Sequence, residues 1–274
     1  MATTTISNPT SRRARKIAVR KIADGDLRAS LRAGWEDFQA MRGDIVIAGL
    51  VYTFIGVAAV VMTTSRPLIP FFFPVVAGVA LLGPVAAAGF YELAKLREDG
   101  RKDLHWFDFL DVRKRSTVDD MGIVAGLLLA IFAGWLIAAG LLYVALFGWA
   151  TPTSVGGFLA AVLATPRGWA LILGGAAIGA IFAWLVLALS VVSLPMLVDR
   201  DVSAADAVSA SWRAAHANKP EMIRWGLTVL GLLVLVSIPL FVGLAVVLPW
   251  LGYSTWHLYT RLTGRAAAPG RPRG

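Results

Sequence analysis

Residues 223–260 read IRWGLTVLGLLVLVSIPLFVGLAVVLPWLGYSTWHLYT, a run of 38 residues with Arg224 as its one fixed charge. As one straight helix it would be roughly 57 Å long, nearly twice the ~30 Å of a bilayer's hydrocarbon core. Pro239, following Ser237-Ile238, removes a backbone donor, so a break there is expected. The run then gives two short spans, about 223–238 and 240–259. Charge placement agrees. With six spans and a cytoplasmic start, every one of the 26 Lys and Arg residues except Arg66 and Arg167 falls inside. A single crossing would put Arg261, Arg265, Arg271 and Arg273 outside, against the positive-inside tendency.

Working back from that run, four more apolar stretches are long enough to cross. They are 44–64, 68–91, 121–149 and 168–198, the first two joined by Ser65-Arg66-Pro67. The last two exceed the minimum, so tilt or projection beyond the lipid is expected. The expected fold is all-α: a polytopic transmembrane bundle of about six helices in three hairpins. Residues 1–43 form a basic cytoplasmic tail and amphipathic helix, 44–260 the membrane domain, and 261–274 a second basic tail. Residues 1–22 have the Ser, Thr and Arg content of a transit peptide but read better as a tail at the lipid surface.

Three polar segments, 25–42, 101–117 and 203–224, each precede a hairpin and mix charges with aromatics. Each is expected to lie as an amphipathic interfacial helix. The chain thus reads as three units of surface helix, span, span. In the link 150–167 the apolar part, 158–164, is too short to cross, which favours a surface helix over a re-entrant dip.

Composition limits the chemistry. The chain is 57% hydrophobic and only 16% charged, against about 25% charged in soluble domains. Its net charge of +9 sits in short segments beside apolar runs, the pattern of a protein held by anionic lipid and not by nucleic acid. With no cysteine, thiolate chemistry is excluded, and His105, His216 and His257 match no zinc spacing. No phosphate-binding loop, nucleophile elbow or dinucleotide fingerprint is present. Only His257 lies close to a span, so a haem with two histidine ligands is not expected, nor is any other cofactor or metal. No Asp, Glu, Lys, Arg or His falls near a bilayer midplane, which argues against a proton pump or ion-coupled carrier.

The ionisable and aromatic groups gather instead at the ends of the spans. Tyr91 and Glu92 end span two; Trp256, His257 and Tyr259 end span six. If these ends are neighbours, Glu92 and His257 could pair, either for acid–base chemistry or, the preferred reading, as an anchor locking two helices at the interface. Trp135 and Trp184 fall in the middle of spans three and four. They read as packing between neighbours, or as an aromatic lining for a lipid or quinone-like ligand. Gly122-x-x-x-Gly126 and Gly175-x-x-x-Gly179 suit close helix contact within the bundle, with a dimer face as the alternative. Pro74, Pro84 and Pro195 are expected to kink their helices.

Three stretches carry a family resemblance: GWEDF at 34–38, GPVAAAGFYELAKLREDG at 83–100 and PWLGYSTWHLYTRL at 249–262. Together they resemble the bacterial membrane family catalogued as domain of unknown function 2189, while 121–200 supplies no matching motif. The resemblance implies a polytopic protein of the bacterial inner membrane and brings no activity with it. The expected role is a non-enzymatic membrane factor that engages anionic lipids, protein partners or a second copy through its cytoplasmic face. A small-solute or lipid transporter is the alternative, and an interfacial enzyme using Glu92 and His257 the third.

Overall fold

A computed structural model describes residues 18–23, 25–64, 87–101, 103–105, 108–109, 111, 117–149, 155–237 and 243–265. Among them the regular structure is helical: α1 (Asp26–Thr64), α2 (residues 87–98), α3 (Val118–Phe147), α4 (Val155–Ala164), α5 (Pro166–Ser190), α6 (Ser193–Asp199), α7 (Ala204–Ala217), α8 (Lys219–Ser237) and α9 (Leu244–Thr263). Most of the expected span 68–91, with Pro74 and Pro84, lies outside the described residues, as do residues 1–17, residues 266–274 and most of the interfacial segment 101–117.

The expected boundary between a surface helix at 25–42 and a span at 44–64 is absent, because α1 is one continuous helix of 39 residues. Gly43 does not stop it. Glycine in a helix interior costs only about 1 kcal/mol and keeps its backbone donor, unlike proline. At the other end of the chain the long apolar run does divide. The first helix ends at Ser237 and the second begins at Leu244, with Pro239 outside the described residues.

The expected single span 168–198, kinked at Pro195, is instead two helices. The first ends at Ser190, residues 191–192 form a turn, and Pro195 sits in the first turn of α6. There its missing N–H costs no helical hydrogen bond. The Val192 N–H in the turn donates to Ser211 Oγ at 3.1 Å. The link before α5 contains the separate 10-residue helix α4, roughly half a bilayer long. Thr165 then caps α5, its Oγ1 accepting from Gly168 N at 3.0 Å, with Pro166 as the first helical residue.

Among the described residues, two helical stretches are long and apolar enough to cross a membrane: Val118–Phe147, with mean hydropathy 2.4, and Pro166–Asp199, with 2.5. They run antiparallel, since Gly134 faces Phe182 and Gly174 faces Leu142. The apolar window of α3 is unburied along its whole length, and Ile137 and Leu141 are 64% and 65% exposed. Such a surface is costly in water and at no disadvantage in hydrocarbon. Gly122, Gly126 and Gly175 do not serve as the expected contacts: a methyl added at any of them meets nothing within 4 Å among the described residues.

Burial concentrates at the other end of this pair, in a base built from the first half of α1, α2, α6, α7 and α9. Phe38, Phe90, Leu93, Met196, Tyr253, Trp256 and Leu262 share its core. Small residues allow the close approaches there. A side chain at Gly34 would collide with Ser254, and one at Gly252 with Phe90. Helix α7 turns Ala204, Ala207, Ala210, Ser211, Ala214 and Ala215 inward, a three- and four-residue spacing that fits one helical face.

Candidate functional site

The base is where ionisable side chains from distant parts of the chain converge. Asp37 on α1 is buried, and its two oxygens meet different partners. Oδ1 lies 2.9 Å from Arg97 Nε on α2, and Oδ2 lies 2.7 Å from His257 Nε2 on α9. Three helices are therefore tied through one carboxylate.

A second centre forms around Asp199, the last residue of α6. Its Oδ1 is 2.9 Å from Arg265 Nε and 3.8 Å from Lys95 Nζ, and its Oδ2 accepts from the Tyr259 hydroxyl at 2.8 Å. Lys95 Nζ also donates to the carbonyls of Val198 and Asp199, both at 3.2 Å, the end of a helix where a cation is favoured. Arg265 reaches on to Glu98 and Asp99, and its guanidinium stands over the Trp256 ring at 5.1 Å. The Trp256 indole N–H donates to Glu98 Oε2 at 2.9 Å. Burial works against the Arg265 charge, but Asp199 first, then Glu98 and Asp99, outweigh it and hold its pKa above the ordinary arginine value.

Charge pairs this deep survive only when each member keeps its partners, because an orphaned buried ion costs several kcal/mol. Their chemistry is therefore that of a clamp. Asp37 and Asp199 each take at least two partners, and the side chains of Asp37, Asp199 and Arg265 are at most 15% exposed. Among the described residues no group of three His, Asp or Glu is arranged to hold a metal ion.

Tyr91, Glu92, Trp256, His257 and Tyr259, the residues expected to end spans two and six, all lie in this base. Tyr91 hydrogen-bonds with Thr255, while Glu92 is buried and engaged. The carboxylate that meets His257 Nε2 is Asp37 on α1, a residue sequence reading did not single out, and Arg97, Asp199 and Arg265 were equally unmarked. Trp135 and Trp184 have different surroundings. The first packs with Phe132 at 5.7 Å and lies beside Gly179. The second meets the His216 ring at 5.7 Å, with Lys219 Nζ 5.9 Å from its centroid. It thus stands against a polar elbow between α7 and α8 and not in an apolar midplane.

No curated protein and no solved structure matches the chain. The family comparison runs through 121–199, where no motif was legible; it includes the 83–100 stretch and leaves out 34–38 and 249–262. Residues 72–199, a little under half of the chain, match the family described as "predicted integral membrane protein (DUF2189)", and the match contains both helical stretches that are long and apolar enough to cross a membrane.

Proposed function

We propose that this chain is a six-span, non-enzymatic factor of a bacterial inner membrane, with both termini cytoplasmic, that engages lipids or protein partners through its cytoplasmic face. Three hairpins would rise from the base: α1 with the chain before α2, α3 with α5, and α8 with α9. The base would then sit at the cytoplasmic surface, where most Lys and Arg residues fall.

One contrast carries this reading. Inside the base, charges are consumed by one another, as at Asp37 and Asp199. On its outer face Trp212 is 39% exposed beside Arg213, which bonds Ser209, and on α8 Lys219 and Arg224 adjoin the exposed apolar Ile223 and Leu227. Cations and tryptophan bordering an apolar face suit headgroups and membrane-bound partners. The inward pairs favour the anchor over acid–base catalysis, since a general base must be free to take a substrate proton.

Gentle purification from the native membrane followed by native mass spectrometry tests the proposal. Retained phospholipid or a stoichiometric protein partner is the expected result. A reproducibly retained small solute, with neither lipid nor protein, would replace this reading with the carrier.

A further inference from the structure

The first turns of α1 and α8 enclose a half-open cleft of about 620 Å³, within the ~300–1,000 Å³ range of small-molecule sites. Its walls include Leu27, Arg28 and Leu31 from α1, with Glu221, Arg224 and Thr228 from α8. Two guanidiniums and one carboxylate leave it with a net positive charge. Immediately beyond Arg224, α8 continues with Leu227, Leu230 and Val234 at 61%, 57% and 57% exposure. Together with Ile223 they form one helical stripe, at a spacing of three and four residues. That stripe lies about 120° round α8 from the cleft-lining Glu221, Arg224 and Thr228, whose own face continues upward to Leu235, 61% exposed.

We propose that this cleft holds the headgroup of one anionic glycerophospholipid with a hydroxyl-bearing headgroup, of the phosphatidylglycerol type. The proposal rests on the lipid-engaging reading above and gives it a place and a ligand class. Arg28 and Arg224 bind the phosphodiester, the charge-assisted contact that guanidinium geometry suits. Glu221 accepts hydrogen bonds from the headgroup hydroxyls. An acceptor-only carboxylate is suited to that diol and would repel a second phosphate. Leu27 and Leu31 cover the glycerol backbone, and the acyl chains follow the cleft's own face of α8 past Gly231 to Leu235. A site of net charge near +1 matches a lipid of net charge −1.

The test exposes the full chain in mixed micelles to equimolar phosphatidylglycerol, phosphatidylethanolamine, phosphatidylcholine and phosphatidic acid with identical acyl chains, and reads retained lipid by native mass spectrometry. One phosphatidylglycerol per chain is expected, favoured over the other three, and Arg28→Ala should weaken its retention about tenfold. Arg28 is exposed on the first turn of α1, so its removal leaves the fold intact. Arg224→Ala should act in the same direction, and Glu221→Ala should erase the preference over phosphatidic acid. Equal retention of all four lipids, or full retention by Arg28→Ala, overturns the cleft assignment while leaving the broader lipid-engaging reading standing. That reading falls separately, if native-membrane material carries neither lipid nor protein.

Discussion

In α3, half of the leucine and isoleucine side chains stand exposed and none is buried, and close contacts with α5 are made at glycines such as Gly134 and Gly174. In the base, Trp35 and Trp212 are the large apolar groups left exposed, while Tyr253, Trp256 and Tyr259 are fully buried around paired charges. The two regions invert each other because their solvents differ. Lipid offers apolar surface no hydrophobic penalty, so helices like α3 and α5 gain little from hiding leucines and associate through close backbone approach. Water drives the aromatic residues of the base inward, and the charges drawn in with them must then find one another.

Breaking the base should therefore cost most. Asp199→Ala would take a buried partner from Lys95, Arg265 and the Tyr259 hydroxyl at once, leaving Arg265 to Glu98 and Asp99 and Lys95 to the carbonyls at the end of α6. The expected loss is about 3–5 kcal/mol, read from denaturant unfolding in a fixed detergent. Asp199→Asn should lose less, because the amide oxygen still accepts. A loss below ~1 kcal/mol for Asp199→Ala would mean that water enters the base freely.

The close crossing of α1 and α9 comes next. Gly34→Ala places a methyl into Ser254, whose backbone cannot withdraw, and should destabilise by about 1–3 kcal/mol in the same assay. His257→Ala removes one of two partners of Asp37 and leaves Arg97, so about 1–2 kcal/mol is expected. Glu92→Gln should lower stability as well, since Glu92 is buried and engaged. If both His257→Ala and Glu92→Gln keep full stability yet abolish a cellular phenotype, the anchor gives way to catalysis.

The smallest effect is expected on the lipid side. Gly126→Ala and Gly175→Ala add a methyl where nothing stands within 4 Å among the described residues, so stability should change by less than ~0.5 kcal/mol. A larger loss, accompanied by a shift in mass on gel filtration, would show that this face meets a second copy.

Much of this contrast was legible in the sequence. Long runs of Leu, Ala and Gly marked the two stretches apolar enough to cross, Val118–Phe147 and Pro166–Asp199, although a turn at 191–192 divides the second; the break expected at Pro239 lies outside the described residues. Tyr91, Glu92, Trp256, His257 and Tyr259 all lie in the base, but the partner of His257 is Asp37 and not the expected Glu92. What stayed hidden was long-range. Asp37 lies 220 residues from His257, and Asp199 lies 60 from Tyr259. In sequence such acids look like the ordinary solvated charges of an interfacial segment. The weak signal that could have found Asp199 is its place at the end of a nearly uncharged run, beside Arg200-Asp201. The continuity of α1 was missed for a related reason. A change from polar to apolar residues at 43–44 marks a change of solvent, and a helix can cross it without stopping.

The spacing of those partners along the chain also sets an order of assembly. Helix α1 leaves the ribosome with Asp37, and α6 follows with Asp199, well before α9 brings His257, Tyr259 and, just beyond it, Arg265. Helices α1 to α8 are thus made while the clamp is open and its acids still hydrated. An intermediate stopped at that point would carry wet carboxylates under a half-built bundle. Such openings are where a proteolytic quality-control system finds its substrates. Arrival of α9 closes the clamp, so the acids of α1 and α6 both wait on one later helix.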